Sequence, residues 1–293
     1  MLHLSQITKI YPGNIAALQN INLNIPKGLF GLLGPNGAGK STLMRILATL
    51  QEPDTGSVTF DGINLRKEKN ALRQVLGYLP QQFGAYPRTS AVEMLKHFAA
   101  LKGIHGKKRE QVVESLLVKT NLWEARHRSI NQFSGGMKQR YGIAQALIGD
   151  PKLIIVDEPT AGLDPLERRR FQNILSQLGT EVVVLLSTHI VDDVEDICPQ
   201  LAIMGQGKIL QSGEAKPLIN KLKGKLWTIE IEKAELGELQ AQYHIISTRF
   251  KSGGLEVKML SDTSPSGAVC AQPTLEDVYF STLLENNQLV AFD

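Results

Sequence analysis

The chain has 293 residues, of which 42% are hydrophobic and 21% are charged, and its formal net charge at pH 7 is +3. A chain of this length can bury a sizeable core. Its hydrophobic and charged fractions are those of a globular protein, which argues against a disordered chain. No apolar run approaches the roughly 20 residues needed to cross a bilayer, which argues against an integral membrane protein. The small net charge also argues against nucleic acid or an anionic membrane as a direct partner.

Strand and helix signals alternate through the first part of the chain. Ile21, Leu23 and Ile25 alternate with asparagines, which predicts a strand with one buried face. The apolar segment Gly28–Leu33 predicts a short strand that leads into a glycine-rich loop. The next segment, Ser41–Leu50, has apolar residues at helical spacing and predicts a helix.

Helix signals then continue from about residue 90 to residue 147. Ser90 and Glu93 match a capping box, which predicts that a helix begins here. The basic run Lys107–Arg109 is interpreted as a solvated loop between helices rather than as a binding surface. Together these signals predict a helical subdomain of about residues 83–150.

Two later segments, Leu153–Val156 and Val182–Leu186, are apolar on both faces. Strands of this kind belong to a parallel sheet that helices cover on both sides, so the fold class is predicted to be α/β. Between the two strands, Asp164 and Pro165 predict the start of a helix. The basic run Arg168–Arg170 is expected on the exposed side of that helix.

The composition changes near Lys221–Lys225. Beyond this point the sequence predicts short strands at Leu226–Ile231 and Leu255–Leu260, followed by a helix from about Thr274. We therefore expect a main domain of residues 1–222 and a small C-terminal α+β accessory subdomain of residues 223–293.

The strongest motif is the glycine-rich loop between a predicted strand and a predicted helix, which matches the pattern G-x-x-x-x-G-K-[ST]. It consists of Gly34, Pro35, Asn36, Gly37, Ala38, Gly39, Lys40, Ser41 and Thr42. Glycines let successive backbone N–H groups point at phosphate oxygens, and the helix N-terminus adds a positive dipole end. In such a loop Lys40 reaches the β- and γ-phosphates and Ser41 holds Mg²⁺. The sequence therefore predicts a nucleotide site rather than a turn without a ligand.

Two acidic residues, Asp157 and Glu158, follow the apolar strand Leu153–Val156. They lie at the carboxyl end of that strand, where ligands of open α/β sheets bind. Asp157 is expected to support Mg²⁺ through its water shell, and Glu158 to polarise a water for in-line attack on the γ-phosphate. An acidic pair alone often marks only a helix start, but beside a phosphate loop it indicates hydrolysis.

A third motif is Ser134-Gly135-Gly136, which precedes a predicted helix. By itself it is a capped helix start, and its exposed N–H groups can also bind an anion. The residues alone leave open which phosphate it meets.

In this order the motifs resemble the ATPase subunit of an ABC transporter, from about residue 2 to about residue 220. The resemblance rests on Tyr11, Gly34–Thr42, Gln81, Ser134–Gly136, Asp157–Thr160, Ala161–Asp164 and Ser187–His189. It implies the P-loop NTPase fold of the ABC ATPases, which has a RecA-like core with a parallel sheet, an N-terminal antiparallel β part and a helical insertion.

The resemblance also implies roles around the nucleotide. Tyr11 matches the aromatic residue that stacks on adenine, although an ordinary tyrosine at a strand end is the alternative. Gln81 matches the glutamine that contacts Mg²⁺ and senses the γ-phosphate, with Gln82 as the alternative assignment. His189 matches the switch histidine beside the γ-phosphate, where a lone histidine is more often structural. The catalytic residues expected on this basis are Glu158, His189, Lys40 and Gln81.

Other matched residues imply a head-to-tail dimer with a second copy of the chain or with a related ATPase subunit. Ser134 and Gly136 match the signature loop, which contacts the γ-phosphate held by the second subunit. Asp164 matches the loop that crosses the dimer interface, and it also caps its own helix. Met137 stands where the family commonly has glutamine, so the contact of that glutamine to the ribose or the neighbouring chain is not carried over.

The segment Pro273–Phe280 resembles the tail of bacterial ABC subunits that serve exporters of drugs, antibiotics, lipids or polysaccharides. From its residues alone it predicts a helix. Thr274 is the expected N-cap, Glu276 and Asp277 favour the helix N-terminus, and Val278 is expected to pack inward.

The predicted function is ATP hydrolysis, with ATP and Mg²⁺ bound, that energises an exporter through a separate membrane permease. A short permease helix is expected near Gln81–Arg88, on Phe83, Tyr86 and Pro87, unless these residues only pack the loop. One alternative is a soluble ABC-type ATPase that acts on ribosomes or DNA, which a single phosphate loop and the lack of a long heptad run disfavour. The second alternative is a kinase or small GTPase, which Ser134–Gly136 and His189 in this order disfavour.

The expected location is the cytoplasm, peripheral on the inner face of the cell membrane through the permease. Cys198 and Cys270 are too few for a disulfide framework or a metal cluster, which favours a reducing compartment. Residues Met1–Ser5 lack the features of a signal peptide.

Overall fold

The fold was obtained as a computed structural model that describes residues 1–82, 84, 88–251 and 253–288. The strands, in chain order, are β1 Leu2–Tyr11, β2 Ile15–Ile25, β3 Gly28–Leu33, β4 Thr55–Phe60, β5 Ile63–Asn64, β6 Leu76–Leu79, β7 Leu153–Asp157, β8 Val183–Thr188, β9 Gln200–Gly205, β10 Lys208–Glu214, β11 Leu226–Ile231, β12 His244–Lys251, β13 Gly254–Leu260 and β14 Val269–Cys270. The helices are α1 Lys40–Leu47, α2 Lys69–Val75, α3 Ala91–Leu101, α4 Gly106–Lys119, α5 Gly135–Ala146, α6 Pro165–Ser176, α7 Val191–Glu195, α8 Ala215–Asn220, α9 Leu236–Gln242 and α10 Leu275–Glu285.

The central sheet positions the candidate site. Within the described residues its strand order is β10-β9-β3-β8-β7-β6. Strands β9, β3, β8, β7 and β6 run parallel, and β10 is antiparallel to β9. Every residue of β7 and β8 is buried, which confirms the predicted parallel sheet covered on both faces. The carboxyl ends of β3, β7 and β8 therefore lie at one edge of the sheet, where ligands of open α/β sheets bind.

Each face of the central sheet has its own hydrophobic core. On one face, α1 and the N-terminal sheet β2-β1-β4-β5 bury Ile7, Leu43 and Ile155 together. This N-terminal sheet is antiparallel, as the family resemblance implies. On the other face, α5 and α6 contribute Tyr141 and Phe171 to a second core. The loops at the sheet edge are thus anchored by packing on both sides.

Helices α3, α4 and α5 pack on one another and form the predicted helical insertion. The capping box at the start of α3 is confirmed, because the Ser90 hydroxyl accepts from the Glu93 N–H while the Glu93 carboxylate accepts from the Ser90 N–H. The interpretation of Lys107–Arg109 as a loop was wrong, because α4 already begins at Gly106. Charged side chains on the first turns of an exposed helix are solvated as well as they would be in a loop.

The C-terminal strands form a separate sheet in the order β12-β13-β11-β14. Leu255, Val257 and Met259 of β13 fill a small core of its own. Helix α10 contacts β12 of this sheet, and its Val278 and Leu283 join the core of the central sheet. The Thr274 cap is present, and Asp277 also pairs with Lys258 Nζ at 2.8 Å.

Across the ranges that the structure describes, no helix combines the length and the apolar character that a membrane crossing requires.

Candidate nucleotide-binding site

The glycine-rich loop connects β3 to α1 at the carboxyl edge of the central sheet. Gly37 and Gly39 have φ of +81° and +102°, a left-handed conformation that side chains rarely adopt. A Cβ at Gly39 would also lie 2.4 Å from the carbonyl oxygen of Ala17. These constraints explain the glycines, and the curled loop directs its N–H groups and the N-terminus of α1 towards the space above it.

Lys40 reaches back over this loop. Its Nζ donates to the carbonyl oxygens of Gly34 at 2.6 Å and Pro35 at 3.1 Å. It also lies 3.1 Å from Glu158 Oε1, and both side chains are almost fully buried. The positive charge is therefore held next to the backbone N–H groups, paired with a carboxylate that an incoming phosphate would have to compete with.

Asp157 ends β7 beside the start of α1. Its Oδ1 accepts from Ser187 Oγ at 2.5 Å, and Ser41 donates to the same carboxylate. Burial raises the pKa of Asp157 above its ordinary value, and the hydrogen bonds from Ser187 and Ser41 oppose that rise. Carboxylate and hydroxyl oxygens are the ligands that Mg²⁺ prefers, so Ser41 and Asp157 are a suitable donor pair for it.

Glu158 connects the phosphate loop to the candidate switch histidine. Its backbone has φ of 49°, which is uncommon for a residue with a side chain. Its Oε2 lies 2.6 Å from His189 Nδ1, while Oε1 faces Lys40. A carboxylate oriented in this way by a histidine and a lysine has the geometry of a general base.

Most of the predicted residues line one pocket of about 420 Å³. Its lining consists of Tyr11, Ile15, Ala16, Ala17, Pro35–Thr42, Gln81, Glu158 and His189. Gly34 and Asp157 lie behind this surface and are buried. Among the described residues, Ser134, Gly135, Gly136 and Asp164 do not contribute to the lining.

Tyr11 stands at the rim of this pocket, at the end of β1. Its hydroxyl is 3.4 Å from Thr42 Oγ1 and donates to Gln51 Oε1 at 3.0 Å. The hydrogen bond with Thr42 lowers the pKa of Tyr11 below its ordinary value. These bonds fix the aromatic ring beside the phosphate loop.

The signature loop lies at the start of α5 and next to the start of α6. The Ser134 hydroxyl accepts from the Met137 N–H at 3.3 Å, so Ser134 is the N-cap of α5. A Cβ at Gly136 would lie 2.5 Å from Glu167 Oε2 and 2.6 Å from Glu167 Cγ, so a side chain here would have to displace the Glu167 side chain. Asp164 caps α6 by accepting from the Glu167 N–H at 2.9 Å, as the sequence predicts. The two caps therefore belong to neighbouring loops outside the pocket.

A buried carboxylate behind the site was not singled out from the sequence. Asp193 Oδ2 accepts from Thr160 and from Thr188, the latter at 3.2 Å. Its Oδ1 accepts from Arg168 Nε at 2.5 Å. The expectation that Arg168 lies on the exposed side of α6 was therefore wrong, because its guanidinium turns towards Asp193. The two residues are 25 positions apart, so no local pattern signals this pair.

The proposed permease groove is only partly described. Gln81 and Arg88 are exposed. The predictions for Phe83, Tyr86 and Pro87 lie outside the described residues.

Comparison with known proteins gives one family. The sequence profile described as "ABC transporter" matches residues 18–161. The probable multidrug ABC transporter ATP-binding protein YbhF of Escherichia coli (strain K12) is 39% identical over 228 residues, which are 77% of this chain and 39% of YbhF. The uncharacterized ABC transporter ATP-binding protein YxlF of Bacillus subtilis (strain 168) is 32% identical over 299 residues, covering 97% of this chain and 99% of YxlF. The chain thus spans well under half of YbhF but nearly all of YxlF.

Solved structures agree with the sequence comparison. The dimeric structure of MJ0796, described as a bacterial ABC transporter cassette, superposes with a TM-score of 0.68 and 28% identity, covering 73% of this chain and 98% of MJ0796. The likeness of fold therefore extends over about three quarters of the chain. The chain belongs to the ABC transporter family, and its relatives there are ATP-binding proteins.

Proposed function

We propose that this chain is the ATP-hydrolysing subunit that energises an exporter of the ABC family through a separate membrane permease. The observation that carries the proposal is the cluster of Lys40, Glu158 and His189 in one pocket with the phosphate loop. Glu158 lies 2.6 Å from His189 and 3.1 Å from Lys40. A buried base, a switch group and a phosphate-binding cation in contact are what γ-phosphate hydrolysis requires.

The phosphates of ATP are bound by the loop N–H groups and by Lys40. Ser41 would hold Mg²⁺, Asp157 would support the ion through its water shell, and Gln81, which lines the same pocket, would add an amide oxygen. When bound, Mg²⁺ offsets the negative charge that develops on the transferring phosphoryl group. The hydrogen bond between Ser41 and Asp157 holds the two side chains together, with Asp157 directly behind the pocket surface, before any ion arrives.

The attacking water is oriented by Glu158. Its carboxylate accepts the proton of that water, and His189 holds the carboxylate in place through Nδ1. As the phosphates attract Lys40, its ion pair with Glu158 weakens and Oε1 becomes available to the attacking water. The histidine side chain is 42% exposed, so it remains accessible to a γ-phosphate at the pocket mouth.

The signature loop and the Asp164 loop serve a second subunit. Ser134, Gly135 and Gly136 stand outside the pocket that holds Lys40, within the described part of the chain. The N–H groups of the first turn of α5, which have no partners within the helix, bind the γ-phosphate held by a second copy of this chain or by a related ATPase subunit. The dimeric arrangement of MJ0796 supports this assignment.

The export assignment rests on two further observations. YbhF, which is similar over 77% of this chain, has a name that describes it as a probable multidrug transporter protein. The Pro273–Phe280 segment resembles the tail of exporter subunits, and in the structure its residues from Leu275 onward lie in α10. The chain is placed on the cytoplasmic side of the membrane, held there by the permease, with residues 223–293 as an accessory unit.

Affinity purification from the native cell separates this function from its main alternative. A tagged full-length chain is purified from detergent-solubilised membranes and from the soluble fraction, and the co-purified proteins are sequenced. We expect a polytopic membrane protein at a stoichiometric level. Recovery of ribosomes or DNA instead, with no membrane protein, would support the soluble ABC-type ATPase and overturn the transport assignment.

Lys40→Ala is expected to weaken ATP binding as well as hydrolysis. The lysine charge contacts the phosphates in the ground state, and a charge-assisted hydrogen bond of this kind is worth about 1.5 to 3 kcal/mol. A binding titration with ATP measures the loss. Lys27→Ala is the matched control, because Lys27 is half exposed and pairs only with the exposed Glu181 among the described residues. Unchanged ATP affinity in Lys40→Ala would contradict this placement of the loop.

Tyr11→Ala is expected to weaken binding of ATP by roughly 1 to 3 kcal/mol, the contribution of stacking one base on an aromatic ring. Tyr11→Phe keeps the ring and loses the hydroxyl contacts to Thr42 and Gln51, so it should bind ATP nearly as well as the wild type. Titrations with ATP and with triphosphate alone measure the difference. If triphosphate affinity falls as far as ATP affinity, the ring does not contact adenine.

A further inference from the structure

Asp193 is a fully buried carboxylate in the short helix α7 that follows the switch histidine. Its two oxygens accept from three side chains, Thr160, Thr188 and Arg168. Burying a carboxylate is costly unless it is paired and hydrogen-bonded, and here the partners come from three different segments. The contacts of each segment show which parts of the site Asp193 connects.

The first segment contains His189. Thr188 Oγ1 donates to Asp193 Oδ2 at 3.2 Å and accepts from the Ile190 N–H at 3.0 Å. One hydroxyl therefore ties the backbone on both sides of His189 to Asp193. These two hydrogen bonds of Thr188 therefore fix the orientation of the His189 side chain.

The second segment contains Glu158. Thr160, two positions after Glu158, donates its hydroxyl to the same Oδ2 that Thr188 uses. Both hydroxyls converge on one oxygen atom, so the loop after β7 and the loop after β8 are held at a fixed separation. The 2.6 Å contact between Glu158 Oε2 and His189 Nδ1 joins the same two loops.

The third segment is the first turn of α6. Arg168 Nε donates to Asp193 Oδ1 at 2.5 Å, and only 24% of the arginine side chain is exposed. The guanidinium is thereby paired with the carboxylate, and both oxygens of Asp193 are engaged as hydrogen-bond acceptors. The same turn of α6 begins at the Asp164 cap.

We propose that Asp193 is a positioning residue for ATP hydrolysis, which holds the Glu158 loop and the His189 loop in the register that brings base and switch group together. This rests on the proposed ATPase function. Asp193 does not line the pocket, within the residues described, and acts through Thr160 and Thr188. Misplacement of the reacting groups by about 1 Å can cost about a hundredfold in rate, so loss of this anchor should lower turnover more than binding.

Asp193→Asn is the first test, because asparagine keeps the shape but presents an NH₂ group where the carboxylate accepts. We expect kcat for ATP to fall by about tenfold to a hundredfold while KM changes by less than about threefold. Asp196→Asn is the matched control, since Asp196 is exposed at the end of α7. The assays use the full-length chain purified together with its permease.

A parallel loss of ATP affinity, thermal stability and kcat in Asp193→Asn would overturn the proposal, because it would show only a structural role. A kcat equal to that of the wild type would also overturn it. If the wild type itself does not hydrolyse ATP, the proposed function fails instead, and the two failures are distinguishable.

Thr160→Val and Thr188→Val keep the test decisive if Asp193→Asn does not fold. Each removes a single hydroxyl at nearly constant volume, and each should lower kcat with little change in KM. Where Asp193→Asn is soluble, a double-mutant cycle with Thr160→Val should be less than additive in the logarithm of kcat, because both changes remove the same contact. Full additivity, or valine variants with wild-type kcat, would overturn the proposal.

Discussion

Replacing Glu158 by glutamine is expected to leave ATP binding intact and to lower turnover by about 10²- to 10⁴-fold, the usual contribution of a positioned general base. Glutamine has the shape of glutamate and can still fill the space between His189 and Lys40. It cannot accept a proton from water at neutral pH. The steady-state ATPase rate of the purified variant, with its permease, measures the loss.

The ion pair with Lys40 also predicts how the affinity of Glu158→Gln for ATP will change. Glu158 Oε1 lies 3.1 Å from Lys40 Nζ, so the carboxylate competes with phosphate for the lysine. Glu158→Gln removes that competitor, and its affinity for ATP should equal or exceed that of the wild type. Glu181→Gln, at an exposed glutamate that pairs with Lys27, is the control for the substitution itself. Turnover of Glu158→Gln within a few-fold of the wild type would remove Glu158 from the role of base.

The parts of the site that could be predicted from residues alone are those with a local cause. The phosphate loop needs glycines at φ of +81° and +102°, a lysine and a hydroxyl within one short segment. Asp157 and Glu158 follow a strand that is apolar on both faces, which places them at the carboxyl edge of a parallel sheet. The structure brings Lys40 and Glu158 into contact there, as the sheet topology requires.

Other residues of the pocket have no such local signal. Tyr11 and Gln81 reach the pocket only because β1 and β6 belong to two sheets that pack through α1 and the central core. Their assignment came from the family resemblance alone. Asp193 had no signal at all, since an acidic residue in a short helix is usually solvated. Its partners Thr160 and Arg168 are 33 and 25 positions away, so only the folded chain shows that they meet.

The fold was predictable to a similar extent. The strands β11 and β13 and the capped start of α10 have clear patterns, whereas β12 and α9 were not predicted. Half-exposed elements such as these carry mixed polar and apolar residues, because each packs on a core of only a few side chains. The packing of α10 against the central core is also a tertiary effect, set by Val278 and Leu283 on its inner face.

Ser134→Arg is expected to bind ATP with normal affinity and to hydrolyse it at less than about a tenth of the wild-type rate, because a bulky cation blocks the approach of a second subunit. Ser134 is exposed at the start of α5 and lies outside the pocket that contains Lys40, within the described residues. Its own nucleotide site is therefore untouched. Ser176→Arg is the control, because it changes an exposed serine at the end of α6 and should be active. Thr274→Arg is not suitable, since that cap is part of a buried network.

Mixing Ser134→Arg with Lys40→Ala separates a role in the second subunit from a role within the same chain. In the mixed dimer one composite site combines an intact Lys40 with an intact Ser134, while the other site carries both changes. If Ser134 completes the site of its partner, the mixture should hydrolyse ATP faster than either variant alone, provided that one intact site can turn over. If the serine acted within its own chain, both sites of the mixed dimer would carry a defect and no activity would return. Normal hydrolysis by Ser134→Arg alone would show that Ser134 is only the cap of α5, and the head-to-tail arrangement would fail for this protein.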